Sequence, residues 1–265
     1  MPESIVIAPT PQIVHACDAL DKVIAAFIRY RSEVPGTEFE SNSEALILFN
    51  LVIRQVEGVL ELARKDLALV PAAYACARSA LETAIKAAWL VNLDDPFARE
   101  ARWLAHIAEE ERVYRRAVAK SEHNQLTQRF QDQAEELKVF REAVARKMPS
   151  GVVIPSIANA EEMISAIGGR HLYSIYIFLS QFVHGGHLAT TLYRKNLGID
   201  KEYGEFVELS HWYIALRACW LSLSQPGDIV LDRVAGKSSG FYEENAVKAA
   251  VAAIEAARIG EPTLQ

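Results

Sequence analysis

Hydrophobic residues recur along most of this chain at steps of three and four, the pattern of helices that bury one face. From about Pro11 to Arg31, one such stripe is formed by Ile13, Cys17, Leu20, Ile24, Phe27 and Tyr30. A second follows EVPGTEFE, with Ser43 predicted as its cap and Leu46, Phe49, Ile53, Val56 and Leu60 on one side. Pro71 suits a first helical turn and opens a third helix that runs to about Asn92. Asp95-Pro96 gives a fourth the same cap-then-proline start. Residues 97–147 alternate charge sign along helical faces, which predicts two long solvent-facing helices broken near SEHN. PSGVVIP (Pro149–Pro155) reads as a loop, and SIANAEEMISAIGG as a short helix stopped by Gly168-Gly169. An uncharged helix, one from about Tyr203 to Ser224 and a last one in FYEENAVKAAVAAIEAARIG complete the pattern. No strand-like alternation, Asn-Gly hairpin or internal repeat interrupts it. The expected fold is all-α: one domain over residues 1–265, a single irregular helical bundle of about eight to nine helices.

Composition narrows the function classes. Hydrophobic residues make up 51% and charged residues 23%, an ordinary globular balance, and 265 residues suffice for a sizeable core. A net charge of −6 argues against nonspecific nucleic-acid binding, whose footprint is basic. MPESIVIAPTPQ has no basic start and no long apolar run, so no secretory signal is predicted. Cys17, Cys76 and Cys219 each fall in an apolar helical pattern, which predicts buried, reduced thiols and a cytoplasmic location. Trp103, Trp212 and Trp220 are expected in the core or an interface. Arg170 to Arg194 has the length of a membrane span, but three histidines, Gln181 and Gly185-Gly186 make it a helix buried in protein instead. Several motif fragments lead nowhere. GKSSG (Gly236–Gly240) lacks the earlier glycine of a phosphate-binding loop, since position 231 is Leu. HGG at His184 has no G-x-S-x-G to accompany it. His184 with His187, and Glu208 with His211, are pieces of metal motifs without the remaining ligands, so no metal site is predicted and no cofactor is named.

Polar residues inside apolar helices are the chemistry worth pursuing. On the third helix Arg78, Glu82 and Lys86 lie four apart, with Tyr74 one turn before them. On the uncharged helix Tyr176, Ser180 and His184 also lie four apart, and His187 follows. A covered helix needs internal partners for such groups, and the Arg78–Glu82 pair would supply a cation and a carboxylate. One reading is a narrow solvated edge of ion pairs on the third helix. The other is a polar site in which Glu82 orients His184 as a general base, Arg78 stabilises negative charge and Ser180 touches substrate.

The blocks R-S-A-L-E-x6-W-L (Arg78 to Leu90) and Y-x-x-x-S-x-x-x-H-G (Tyr176 to Gly185) resemble a widespread group of bacterial helical proteins, a domain family of unknown function. The likeness covers roughly residues 45–220. It implies an α-helical domain with Arg78, Glu82, Ser180 and His184 as defining positions, and it implies no activity. Helical HEPN-type ribonucleases space Arg and His more widely than Arg102-x-x-x-His106 does here.

Two functions therefore stand. The first is a binding or interaction module, with Tyr74, Tyr176, His187 and the Arg78 fork around a small anionic ligand and a homodimer formed through the long charged helices. The second is a hydrolase of the nuclease or phosphoesterase type, serving defence or stress, with His184, Glu82, Arg78 and Ser180 as its catalytic set.

Overall fold

Helix starts follow the caps that the chain supplies. In the computed structural model, which describes residues 6–34, 36–197, 202–235 and 240–258, helix α1 (Pro11–Ser32) begins where the Thr10 hydroxyl accepts the Ile13 N–H at 3.3 Å. Helix α4 (Pro96–Lys120) begins where Asp95 accepts the Phe97 N–H at 3.0 Å. Reciprocal capping boxes open α5 (Gln125–Ala145), through Asn124 and Thr127, and α6 (Ala160–Ala166), through Asn159 and Glu162. The remaining helices of more than four residues are α2 (Glu40–Lys65), α3 (Val70–Val91), α7 (Leu172–Val183), α8 (Leu209–Leu223), α9 (Gln225–Ala235) and α10 (Asn245–Ala256). The all-α expectation holds, and the strand content among the described residues is a two-residue antiparallel ribbon pairing Arg194 with Tyr203.

Helix α3 is the axis. Ala73, Ala77, Ala80, Ala84, Ala87 and Ala88 are all buried, and such small side chains let α2, α6, α7, α8 and α9 approach its surface from several sides. Apolar residues from Ile7 to Ala257 join in one buried cluster around it. Trp212, fully buried on α8, donates its indole N–H to the Leu67 carbonyl at 2.8 Å. Trp103 and Trp220 are buried as expected. Cys17 and Cys219 are buried thiols, whereas Cys76 is only half-buried. Helix α5 is different in kind: it packs on α4 and buries little beyond Thr127 and Ala134, so the α4–α5 hairpin stands off the main core. Among the described residues no helix is long and apolar enough to cross a membrane.

Four expectations need correction. Ser43 does not cap α2: the helix starts at Glu40, and Glu100 of α4, itself buried, accepts the Ser41 N–H at 2.7 Å, a cap delivered from a distant segment. The helix expected from Tyr203 starts at Leu209, because Tyr203 belongs to the ribbon. Residues 225–235, to which the hydrophobic pattern assigns no element, form α9, with Pro226 in its first turn, where proline's missing N–H does no harm. Helix α7 is not enclosed: only Leu172 and Leu179 are buried, and Tyr173, Ile177 and Val183 are 38%, 42% and 47% exposed. Its lack of charge comes from neutral residues on an open face. The predicted loop at 236–239 and the first five residues, read for a secretory signal, lie outside the described residues.

Gly227 lets α9 meet the stacked rings of Phe27 and Phe49, whose centroids are 4.3 Å apart; a Cβ there would lie 3.0 Å from Phe49 Cζ. Gly227→Val should therefore lower the unfolding free energy by about 1–3 kcal/mol through overpacking. An unchanged urea midpoint would show that the ring pair yields freely.

Candidate functional site

The i, i+4 spacing on α3 and α7 brings two polar stripes together, and Arg78 joins them. Its guanidinium lies 3.7 Å above the Tyr176 ring. Its Nε donates to the Ser180 Oγ at 2.9 Å, and Nη1 donates to Glu82 Oε2 at 2.6 Å. The Ser180 hydroxyl in turn donates a hydrogen bond to the Tyr176 carbonyl at 2.7 Å. Arg78 is only 6% exposed, so these contacts replace nearly all of its water. The Glu82 side chain, by contrast, is 54% exposed. Arg78 therefore faces inward while Glu82 and Lys86 reach toward the surface, which combines the two readings of this stripe.

The structure thus gathers Arg78, Glu82, Ser180 and Tyr176. Tyr74 lies apart from their hydrogen bonds, fully buried against Phe178 and Phe182 with ring centroids at 5.7 and 4.3 Å. Its hydroxyl has no hydrogen-bond partner among the described residues, and burial pushes its pKa well up. His184 is the C-cap of α7: its N–H donates to the Ser180 carbonyl at 3.0 Å, while the exposed imidazole makes no hydrogen bond among the described residues. Glu82 is bonded to Arg78 and not to His184. Gly185, at φ 63°, ends the helix in a conformation that glycine adopts without strain, and His187 stands exposed beyond it.

The cluster borders a cleft of about 210 Å³. Helix α3 contributes Glu82, Ile85 and Lys86, and α4 contributes His106, Glu109 and Glu110. Ile157, Ala158, Ala160 and Met163 close it from the α6 side, and Tyr176 closes it from α7. Arg78 itself lies behind this wall. His106 had no place in the sequence-derived site, yet it is the most telling residue here. It is only 6% exposed and makes no hydrogen bond among the described residues. Burial first, and then the nearby charge of Lys86, push its pKa down to about 4 against the pull of Glu109, so the imidazole is neutral at physiological pH. Glu109 is gripped by both ends of Arg112, Nε to Oε2 at 2.7 Å and Nη2 to Oε1 at 2.6 Å, which holds its carboxyl below the usual range. One signal could have found His106: with Glu109 and Glu110 it shares the one-turn spacing that puts all three on one side of α4.

No group of three or more His, Cys, Asp or Glu is placed to hold a metal ion among the described residues. Glu208 and His211 form a local cap instead, the His211 Nδ1 accepting the Glu208 N–H at 3.0 Å.

Residues 45–202 match the model of a family of unknown function, DUF5677, a span that includes every residue lining the cleft as well as Arg78 and Ser180. No curated protein and no solved structure matches the chain.

Removing a buried guanidinium and its contacts leaves a cavity and lost charge-assisted bonds, so Arg78→Ala should cost about 2–4 kcal/mol of stability. Glu82→Gln keeps an acceptor for Nη1 at a solvated position and should cost about 1 kcal/mol or less. Urea titration of both variants checks this ordering; equal losses would make the ion pair, and not the burial of Arg78, the anchor.

His106 also sets a pH dependence. Above its ordinary value of 6.5 the imidazole is neutral in both folded and unfolded chains and has no effect on stability. Between 6.5 and about 4 only the unfolded chain takes up the proton, so acidification destabilises the fold by up to about 3 kcal/mol. Asp228, pushed up to about 6 by burial, acts with the opposite sign, since its folded form keeps a proton to higher pH. The difference between wild type and His106→Gln isolates the histidine: the variant should lose less stability between pH 7 and pH 4.5. Parallel curves for the two proteins would refute a buried neutral His106.

Proposed function

We propose, for a chain that belongs to the DUF5677 family, that it is a small-ligand-binding module whose ligand occupies the cleft between α3, α4, α6 and α7. The observation that carries this reading is His106, a polar side chain more than nine-tenths buried, without a hydrogen-bond partner among the described residues, on the wall of a concave space. A largely buried imidazole on the wall of a cleft, its charged form disfavoured, is the kind of group that accumulates at binding sites. The cleft also has the composition of a ligand site: apolar lining from Ile85, Ile157 and Met163 together with a few polar groups.

Hydrolysis at His184 has less support. The imidazole is exposed and outside the cleft, and the carboxylate meant to orient it is bonded to Arg78. Anion binding by Arg78 has less support as well, since its Nε and Nη1 and its ring-facing surface are already engaged inside the fold.

A fragment screen by ligand-observed NMR tests the proposal, run in parallel on wild type and on Ala160→Trp, whose indole would fill the space beside His106. Fragments of at least one chemical class should bind wild type at millimolar affinity or better, and the tryptophan variant should lose them while keeping its melting temperature. Hits that persist in the variant, or a screen without hits, would overturn the reading.

A further inference from the structure

The wall of the cleft is layered by charge. In front stand three carboxylates, Glu82, Glu109 and Glu110, with one ammonium, Lys86. The guanidiniums that hold two of these carboxylates, Arg78 and Arg112, do not line the space: each grips its glutamate from behind or beside. Lys86 is itself partly answered by Glu44 of α2, whose carboxyl lies close enough to feel its charge, although burial keeps that carboxyl above its usual range. A ligand entering the cleft thus meets carboxylate oxygens, two of whose side chains are already oriented. Two of them need no rearrangement to receive a donor, because their guanidinium partners fix them in place.

His106 adds an independent observation. It is neutral, because burial and Lys86 disfavour its charged form, and it is unpartnered and aimed into the same space. A neutral imidazole offers one lone pair and does not repel a cation. A protonated imidazole in its place would reject a cationic guest. The apolar part of the lining, with Ile85, Ile157 and Met163, suits a hydrocarbon or aromatic body.

We infer that the ligand of this cleft is a small primary or secondary amine carrying an apolar body, its ammonium received by Glu82, Glu110 and the free nitrogen of His106. This rests on the cleft being the binding site. An anion of the same shape would face three carboxylates, and a neutral molecule would forgo the ion pairs that an ammonium makes with them.

Three probes of one shape separate the ligand class from the site itself: 2-phenylethylamine, 2-phenylethanol and 3-phenylpropionate, titrated at pH 7 into the full chain by calorimetry and followed by ¹⁵N NMR of the imidazoles. The amine should bind at least tenfold more tightly than either analogue and shift the His106 signals. Glu110→Gln and Glu82→Gln should each weaken the amine several-fold and leave the alcohol unchanged, and Ala160→Trp should abolish amine binding. If the carboxylate binds best, or all three bind alike, the amine assignment falls and the cleft remains a binding site. If the amine binds without perturbing His106, or equally well to Ala160→Trp, the assignment to this cleft falls. If none of the three binds and the broader fragment screen is also silent, both conclusions fall together.

Discussion

An ionised guanidinium placed inside a protein must find contacts that replace water, and the interior site of Arg78 imposes that demand on everything near it. The demand is met from two helices far apart in the chain. Ser180 takes one donor, the Tyr176 ring takes the cationic face, and Glu82 takes a second donor at the edge of the solvent. Each of these contacts also fixes a neighbour. Arg78 holds both Tyr176 and Ser180, one turn apart on α7, so α7 is pinned in rotation as well as in position, and Glu82 is turned toward the cleft beside Lys86. The register of α7 against α3 is thus set by polar geometry, while the alanines of α3 only permit the approach. Apolar packing tolerates sliding by a turn; a buried Arg with named partners does not.

What was legible in the chain was mostly local. Thr10-Pro11 and Asp95-Pro96 start helices because side-chain oxygen and fixed φ act within three residues, and Asn159 works in the same way. The pairing of Arg78 with Ser180 was also within reach, since two stripes at the same spacing on apolar helices have few other ways to satisfy one another. Missing were the effects that act across the fold. Glu100 caps α2 across 59 positions of sequence, and no local pattern marks a glutamate as someone else's cap. Helix α9 is unmarked in the hydrophobic pattern, and the need for a small residue at Gly227 arises from Phe27 and Phe49 of distant helices. His106 escaped because its burial depends on α6 and its approach segment folding over α4. The uncharged stretch misleads in the other direction: absence of charge predicts burial, whereas α7 carries Tyr173, Ile177 and Val183 toward solvent.

The two guanidiniums near the cleft do related work from different depths. Arg78 is buried and structural, and it holds Glu82 as a by-product of its own satisfaction. Arg112 is exposed, and its bidentate hold on Glu109 is open to solvent screening. One carboxylate of the cleft is therefore anchored through the core, and the other through a contact that salt weakens.

Helix α5 touches α4 and little else, held by the bonds of Arg141 to Glu111 and of Arg115 to Glu135 and by the stacked pair Tyr114–Phe130. The hairpin consequently belongs to a less cooperative tier of the molecule than α3 and its neighbours, one that can fray while the centre stays intact. Helix α4 runs through both tiers. Its first half, with Glu100 and Trp103, is sewn into the centre; its second half depends on α5 for company. Glu109 and Glu110 sit at the seam between them, so any guest that ties those side chains to Glu82 also staples the loose tier to the firm one.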